Sequence, residues 1–509
     1  MNHCQSQRVS ITTDSWTSIQ RINYMCITAH YIDAEWKLQK KIISFVPVTS
    51  HRGEYIAKSL ENCLLEWGVK KVFTVTVDNA SSNDTALGFF KKKLMSWGTS
   101  AVKVKFVHMR CIAHILNLVV NEGLKESGMS VKRVREAVRY IKNSPARLHK
   151  FREFADLLGV ESKCSLSLDV PTRWNSTYVM LQTACLFDKV FEKYEECEHA
   201  FRADVGDDVP EFMDWLSVKQ LVDFLKKFFE MTLRISGSQY VTANSFLTEI
   251  SDLFVVLHEW QNCGDVSKRS MAFSMKAKFD KYWGDPQKMN LLIFIANVLD
   301  PRDKLEYMEY QLTQMYGDSV GGSLFCNVKS ALVELFDDYS TSVKPASQPY
   351  SQSGLSIGVS EPASSESGQS MNLLKARFKK QKLELGIGGS KQTELNLYLS
   401  ESIIEEEGSF DILRWWKLNA ERFPILSSLA RDVLVVPIST VASESAFSTG
   451  GRVLDCFRSS LSPKIVEALI CSQDWLRTSS IPVSVEEALD EVEKFEKGTI
   501  YSLNLHFLV

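Results

Sequence analysis

The chain has 509 residues, too many for one ordinary core; its 45% hydrophobic and 24% charged content suits a globular protein of two or three domains. A net charge of −3 leaves no global basic excess, so any contact with nucleic acid has to come from local patches or a partner domain. The 11 cysteines lack paired CxxC…CxxC or CxxC…HxxxH spacing, which argues against a disulfide scaffold and against a zinc site in this chain, and fits a reducing compartment.

The opening MNHCQSQRVSITTD has no apolar signal core, and no apolar run approaches the roughly 20 residues that span a bilayer. A soluble intracellular protein without a membrane partner is expected. Val9 to Thr13 reads as a short strand ending at Asp14, Tyr24 to Ile32 as a second and Trp36 to Val48 as a third, joined closely enough for an antiparallel meander. Gly53 to Trp67 carries Ile56, Leu60, Leu64 and Leu65 at helical spacing. Val72 to Val77 reads as a strand buried on both sides and ending at Asp78. A helix over 82–97 follows, with Ser82, Asn83 and Asp84 as candidate caps, then a strand over 102–107 and a helix from about Ile112 to Leu124. This βββαβαβα order is the topology of the ribonuclease-H fold, in which the first and fourth strands are neighbours and Asp14 would meet Asp78.

From about Met129 to Phe336 apolar residues recur at three- and four-residue spacing, which predicts a helical bundle. Ser340 to Ser370 is rich in Ser, Pro, Gly and Gln and reads as a linker or a long surface loop. Soon after it, Lys375 to Lys382 concentrates five positive charges, either a solvated helix face or a nuclear-localisation or phosphate-contact patch. Asp411 to Phe423 reads as amphipathic, with Leu413, Trp416 and Leu418 apolar, and Leu461 to Trp475 as a helix with Ile465, Leu469 and Trp475 inward. An acidic helix and an apolar tail close the chain.

Two-metal phosphoryl transfer needs at least three carboxylates around divalent ions roughly 4 Å apart, and hard oxygen ligands suit Mg2+ or Mn2+. Asp14 and Asp78 supply two. Glu444, in the small-residue run STVASESAFS near a predicted helix start, is the best third, although spacing alone does not separate that role from an ordinary helix-start residue.

TTDSWTS, VTVDNASSND, HMRCIAHILNLVV, DVPTRWNSTYVML and FPILSSLARDVLVVPISTVASESAFSTGGRVLD together resemble the hAT-superfamily DNA transposases. Within it, the likeness is to plant BED-finger proteins of the RICESLEEPER and DAYSLEEPER type. The likeness runs from about Val9 to Arg477. It implies an acidic triad at Asp14, Asp78 and Glu444, a CxxH motif at Cys111 and His114, and an Arg-Trp pair at Arg173 and Trp174. The motif residues are expected to pack beside the active site and contact a DNA end; a structural ion pair is the alternative for Arg173.

The likeness also implies a helical insertion interrupting a ribonuclease-H-like core, and a C-terminal dimerisation region in which Trp415, Trp416, Phe423 and Trp475 face a second subunit or the chain's own core. The expected division is therefore a first core part over 1–128, a helical insertion over 129–339, a linker with the basic run over 340–392, a dimerisation region completing the core over 393–479 and a tail over 480–509. Relatives of this kind carry a BED zinc finger ahead of the core, which this sequence does not display. Cys456 stands where proline is usual. The expectation is a nuclear, transposase-like protein, domesticated or decayed, that binds DNA and pairs with itself or with full-length relatives, without a small-molecule substrate. The alternative is an active cut-and-paste transposase that cleaves by water attack, forms hairpins on flanking DNA and joins 3′ hydroxyls to target DNA.

Overall fold

The computed structural model describes residues 7–98, 101–160, 165–171, 173–237, 240–343, 393–405, 410–454 and 461–476. The basic run over 375–382, Cys456 and the tail over 480–509 lie outside the described residues, as does the expected linker beyond its first four residues, which close a helix.

Strands β1 (Val9–Thr17), β2 (Asn23–Ile32) and β3 (Leu38–Pro47) form the antiparallel meander. Helix α1 (Gly53–Glu66) crosses to β4 (Val72–Val77), which pairs parallel to β1, and α2 (Ser81–Trp97) leads on to β5 (His108–Arg110), parallel to β4. The sheet order is β3-β2-β1-β4-β5. The strand expected over 102–107 is instead a 3-10 turn over Ala101–Val104, and pairing begins at His108. Val104 and Val107 are buried, and only the end of that run joins the sheet, the Val107 carbonyl accepting from the Val75 N–H of β4 at 2.6 Å.

Pleat alternation gives the sheet two unlike faces. One is apolar: Val9 and Ile11 of β1, Met25, Ile27 and Ala29 of β2 and Val75 and Val77 of β4 share a core with Ile56, Leu60 and Leu64 of α1 and Leu87, Phe90 and Leu94 of α2. Leu65, expected on that helix face, is exposed, and Cys63 takes its place. The other face carries Ser10, Thr12, Thr28, His30, Thr74 and Thr76, all buried. Buried hydroxyls need partners: Thr74 donates to Ser10 at 3.0 Å within the sheet, whereas Thr12, Thr28 and Thr76 reach residues from late in the chain.

Beyond α3 (Ile112–Leu124) the described chain is helical: α4 (Gly128–Lys142), α5 (Pro145–Leu157), α6 (Trp174–Leu186), α7 (Asp188–Cys197), α8 (His199–Val205), α9 (Phe212–Ile235), α10 (Phe246–Gln261), α11 (Val266–Trp283), α12 (Leu292–Val298) and α13 (Lys304–Val343), the last kinked at Gly317. After the break come α14 (Glu394–Ser400), α15 (Ile412–Asn419), α16 (Pro424–Leu434), α17 (Val441–Val453) and α18 (Pro463–Leu476).

These last five helices divide between two cores. Leu395, Tyr398, Trp416, Phe423 and Val433 join the core of the large helical assembly, whereas Ala446, Phe447, Val466 and Ile470 pack on Tyr24, Cys26, Ile42 and Phe45 of the sheet. Lys304, at the start of α13, ties the first group down: its buried ammonium donates to the carbonyls of Tyr398, Glu401 and Ser402 at 2.9, 2.8 and 3.2 Å.

Candidate active site

Thr12 pairs with Thr76 across the parallel β1–β4 ladder, so Asp14 and Asp78, each two residues further on, emerge side by side at one end of the sheet. Glu444 lies in the first turn of α17, where a carboxylate suits the helix dipole, on the hydroxyl-lined face. Each carboxylate has one oxygen held by the protein. Asp14 Oδ1 accepts from the Ser15 N–H at 2.7 Å; Asp78 Oδ1 accepts from the Ala80 N–H at 2.9 Å and from Asn83 Nδ2 at 2.5 Å. Glu444 Oε1 accepts from Thr440 Oγ1 at 3.2 Å. Among the described residues their second oxygens take no hydrogen bond. Asn83, a candidate helix cap in the sequence, thus serves Asp78 instead, and the cap position of α2 falls to Ala80.

Asp14 feels both of the other acids. Burial raises the Asp14 carboxyl from its ordinary 3.8 to about 8, with Glu444 and then Asp78 adding to the rise against the Ser15 N–H. Hard oxygens, one free oxygen per carboxylate and crowded negative charge are the donor chemistry of Mg2+ or Mn2+. Among the described residues no group of three His, Cys, Asp or Glu side chains is gathered closely enough to be a formed metal site. The donor chemistry of the three acids suits a divalent cation.

Polar contacts fix the start of the glutamate helix, while Ala446 and Phe447 pack its later turns on the sheet. Ser443 Oγ lies 2.8 Å from Thr12 Oγ1 and 3.2 Å from Thr28 Oγ1, and Thr12 Oγ1 lies 3.0 Å from His30 Nε2. Burial, then the Lys40 charge, lowers the His30 imidazole to about 3, so the ring is neutral. The connection before α17 is fastened as well: Thr76 Oγ1 donates to the Pro437 carbonyl at 2.6 Å and the Ile112 N–H to the Ile438 carbonyl at 2.9 Å.

Cys111 is fully buried at the cap of α3, its thiol pushed up to about 11 first by burial and then by Glu444. Its sulfur is occupied by hydrogen bonds, and the motif's histidine reaches it through the backbone N–H of His114 at 3.4 Å, not through the ring. Trp174 is buried in the helical core against Tyr178 and Phe229, with Arg173 exposed beside it. Among the described residues no hydrogen bond or ring contact joins either to the three carboxylates. The ionic contact of that motif belongs to Asp169, which sequence reading passed over: it accepts bidentately from Arg135, and Thr177 Oγ1 donates to it at 2.8 Å.

Trp416 and Phe423 are fully buried in the chain's own core, the Trp416 indole donating to the Leu299 carbonyl at 3.0 Å. Trp415 is partly buried against both Tyr398 and Trp416. Trp475 donates from Nε1 to the Ile42 carbonyl at 2.8 Å and meets Trp67 edge-on, while remaining 40% exposed. Ile465 and Leu469, expected inward, face outward; Val466, Ile470 and Cys471 are the buried residues of α18. Leu418 of α15 is likewise exposed. The two helices are rotated from the expected faces because each docks on a different core.

A five-stranded mixed sheet bearing three convergent acids on β1, after β4 and on a late helix is of the ribonuclease-H-like class. Four family models match the chain in this sense: a ZBED1 RNase-like domain over residues 12–106, a ZBED1 RNase-like helical domain over 109–224, a hAT-like transposase, RNase-H fold, over 244–339 and the hAT family C-terminal dimerisation region over 394–476. The third match falls on α10 to α13, all helix in this chain.

A Zea mays protein carrying the AC transposase name is 35% identical over 477 residues, covering 93% of this chain and 57% of that protein. RICESLEEPER 1, a zinc finger BED domain-containing protein of Oryza sativa subsp. japonica, is 34% identical over 498 residues, with 96% and 67% covered. DAYSLEEPER, its counterpart in name from Arabidopsis thaliana, is 30% identical, with 93% and 64% covered. The chain belongs to the hAT transposase-derived family, alongside the RICESLEEPER and DAYSLEEPER proteins. It spans less than two thirds of the length of the AC-named relative.

Proposed function

We propose that this chain is a nuclear, transposase-like plant protein that binds DNA at the carboxylate end of its sheet and self-associates through its C-terminal region, in a domesticated or decayed role. The observation that carries the DNA reading is that Asp14, raised to about 8 first by burial, lies near enough to Glu444 and Asp78 for both charges to add to the rise. Such a cluster calls for cations, and Mg2+ or Mn2+ held there would attract phosphate oxygens to the same edge. Asp14, Asp78 and Glu444 would hold the ion, each through the oxygen that the protein leaves free. Self-association is supported by the matched dimerisation region, where α18 exposes Ile465, Leu469 and Leu476. A second copy or a full-length relative is the partner this suggests.

A second reading, an active cut-and-paste transposase, is favoured by one observation: Ser443, next to Glu444, is hydrogen-bonded to Thr12, two residues before Asp14, which brings the third acid of the expected triad to the sheet that bears the other two. One experiment addresses both. Labelled duplex carrying transposon ends is titrated by anisotropy in Mg2+, Mn2+ or chelator, and the products are resolved on a denaturing gel. Divalent-dependent binding that weakens in Asp14→Asn supports the first reading; Mn2+-dependent nicking lost in Asp14→Ala establishes the second. Binding unchanged by chelator and by Asp14→Asn overturns the metal-centred reading.

A further inference from the structure

We propose that Cys111 and Thr440 form a positioning pair that sets the glutamate helix against the aspartate strands, a role distinct from metal or DNA contact. The inference rests on the metal-site reading above. The backbone N–H of Cys111 donates to the Val77 carbonyl at 2.8 Å, next to Asp78. Its sulfur lies 3.4 Å from the Thr440 backbone N and 3.4 Å from Thr440 Oγ1. Thr440 in turn reaches Glu444 Oε1 from its hydroxyl, and its carbonyl accepts from the Glu444 N–H at 3.1 Å. One cysteine thus spans from the Asp78 strand to the Glu444 helix, and both members are buried, at 0% and 1% exposure.

Proton direction completes the link. A hydroxyl has one proton to donate, and the carboxylate can only accept it. The Thr440 hydroxyl therefore shares its one proton between Glu444 Oε1 at 3.2 Å and the Cys111 sulfur at 3.4 Å, both of which accept from it. The sulfur meanwhile accepts from two helix-start N–H groups, His114 on α3 and Thr440 ahead of α17. Those contacts at 3.4 Å suit sulfur and exceed the reach of an oxygen. That is the physical reason for cysteine over serine here. Ser443 closes the opposite side on Thr12, so the helix start is held at two points. His114, on this account, contributes its backbone N–H to the clamp.

The test uses the full chain in two measurements. In metal-free protein, a double-mutant cycle joins Cys111→Ala to Glu444→Gln, two side chains with no mutual hydrogen bond; Cys111→Ser replaces Cys111→Ala should that variant not fold. Positioning predicts melting shifts that depart from additivity by about 2 °C or more. Additive shifts overturn the proposal. Separately, Mn2+ affinity is read from free-ion EPR for Thr440→Val and Thr440→Ser. The valine variant, which keeps the shape, is expected to lose about tenfold in affinity, and the serine variant to recover most of it. Thr440→Val binding Mn2+ as tightly as the parent also overturns the proposal. A parent chain whose Mn2+ binding is unaffected by Asp14→Asn refutes the metal-site reading instead, while a non-additive cycle still upholds the coupling.

Discussion

Thr12 and Ser443, 431 positions apart, share a buried 2.8 Å hydroxyl contact. One lies two residues before Asp14 and the other immediately before Glu444, so this contact carries the register between the first and the last acid of the triad. It is one of several polar fastenings that return the end of the chain to its beginning.

Burying Asp14 beside two other acids has a measurable cost. The native Asp14 carboxyl titrates near 8 and an unfolded one near 3.8, so the native state binds the extra proton between those values and loses stability as pH rises through that window. Asp14→Asn should therefore stabilise the metal-free protein at pH 8 by about 1–2 kcal/mol. Mn2+ should raise the melting temperature of the parent and leave the variant unmoved. Thermal melts with and without chelator decide it; an Asp14→Asn protein less stable than the parent in chelator contradicts the account.

His30 has the opposite sign. Its imidazole titrates near 3 when folded and near 6.5 when unfolded, so the stability contribution is complete above pH 6.5 and drains away as pH falls toward 3. Between pH 6.5 and 4.5 this amounts to about 2–3 kcal/mol. Urea midpoints for the parent and His30→Gln should converge over that interval, and parallel curves would refute it.

Trp416 and the Ile465–Leu469 stripe should separate stability from association. Trp416→Ala empties a fully buried site and orphans the Leu299 carbonyl, costing about 3–5 kcal/mol. The double substitution Ile465→Glu and Leu469→Glu, on side chains about half exposed, should leave the melting temperature nearly unchanged and reduce self-association. Sedimentation velocity beside differential scanning fluorimetry tests both. An unaltered oligomeric state in the double variant removes α18 from the interface.

Lys304→Met should loosen α14 by stranding the carbonyls of Tyr398, Glu401 and Ser402, at about 2–4 kcal/mol. Limited proteolysis should then cut between 394 and 405, where the parent resists.

Much of the site was readable in the sequence because strands that end in Asp14 and Asp78 carry a strong period and β-branched residues. The Ser10, Thr12, Thr74 and Thr76 alternation was equally visible, yet β4 read as apolar on both sides. A buried hydroxyl face makes sense only once its covering helix is known. The faces of α15 and α18 were not legible for a related reason. Trp416, Leu418, Ile465 and Ile470 are all apolar, and which of them turns inward depends on the core each helix meets. Glu444 could be named as a candidate from its small-residue helix start, but only the family resemblance set it apart from an ordinary helix-start residue, since nothing local ties residue 444 to residue 14. Asp169 went unnoticed because it lies in the irregular stretch before α6 and its partner, Arg135, belongs to α4.

The polar fastening of α17 also bears on how the protein is made. Synthesis runs from the amino terminus, so the sheet, both aspartates and the helical assembly emerge well before residue 444 does. Until then Thr12, Thr28 and Cys111 have no Ser443 or Thr440 to meet, and the hydroxyl face stands open to water. A nascent chain, or one stopped short of α17, carries two acids without the third. Any chemistry that needs all three is withheld until translation has almost finished.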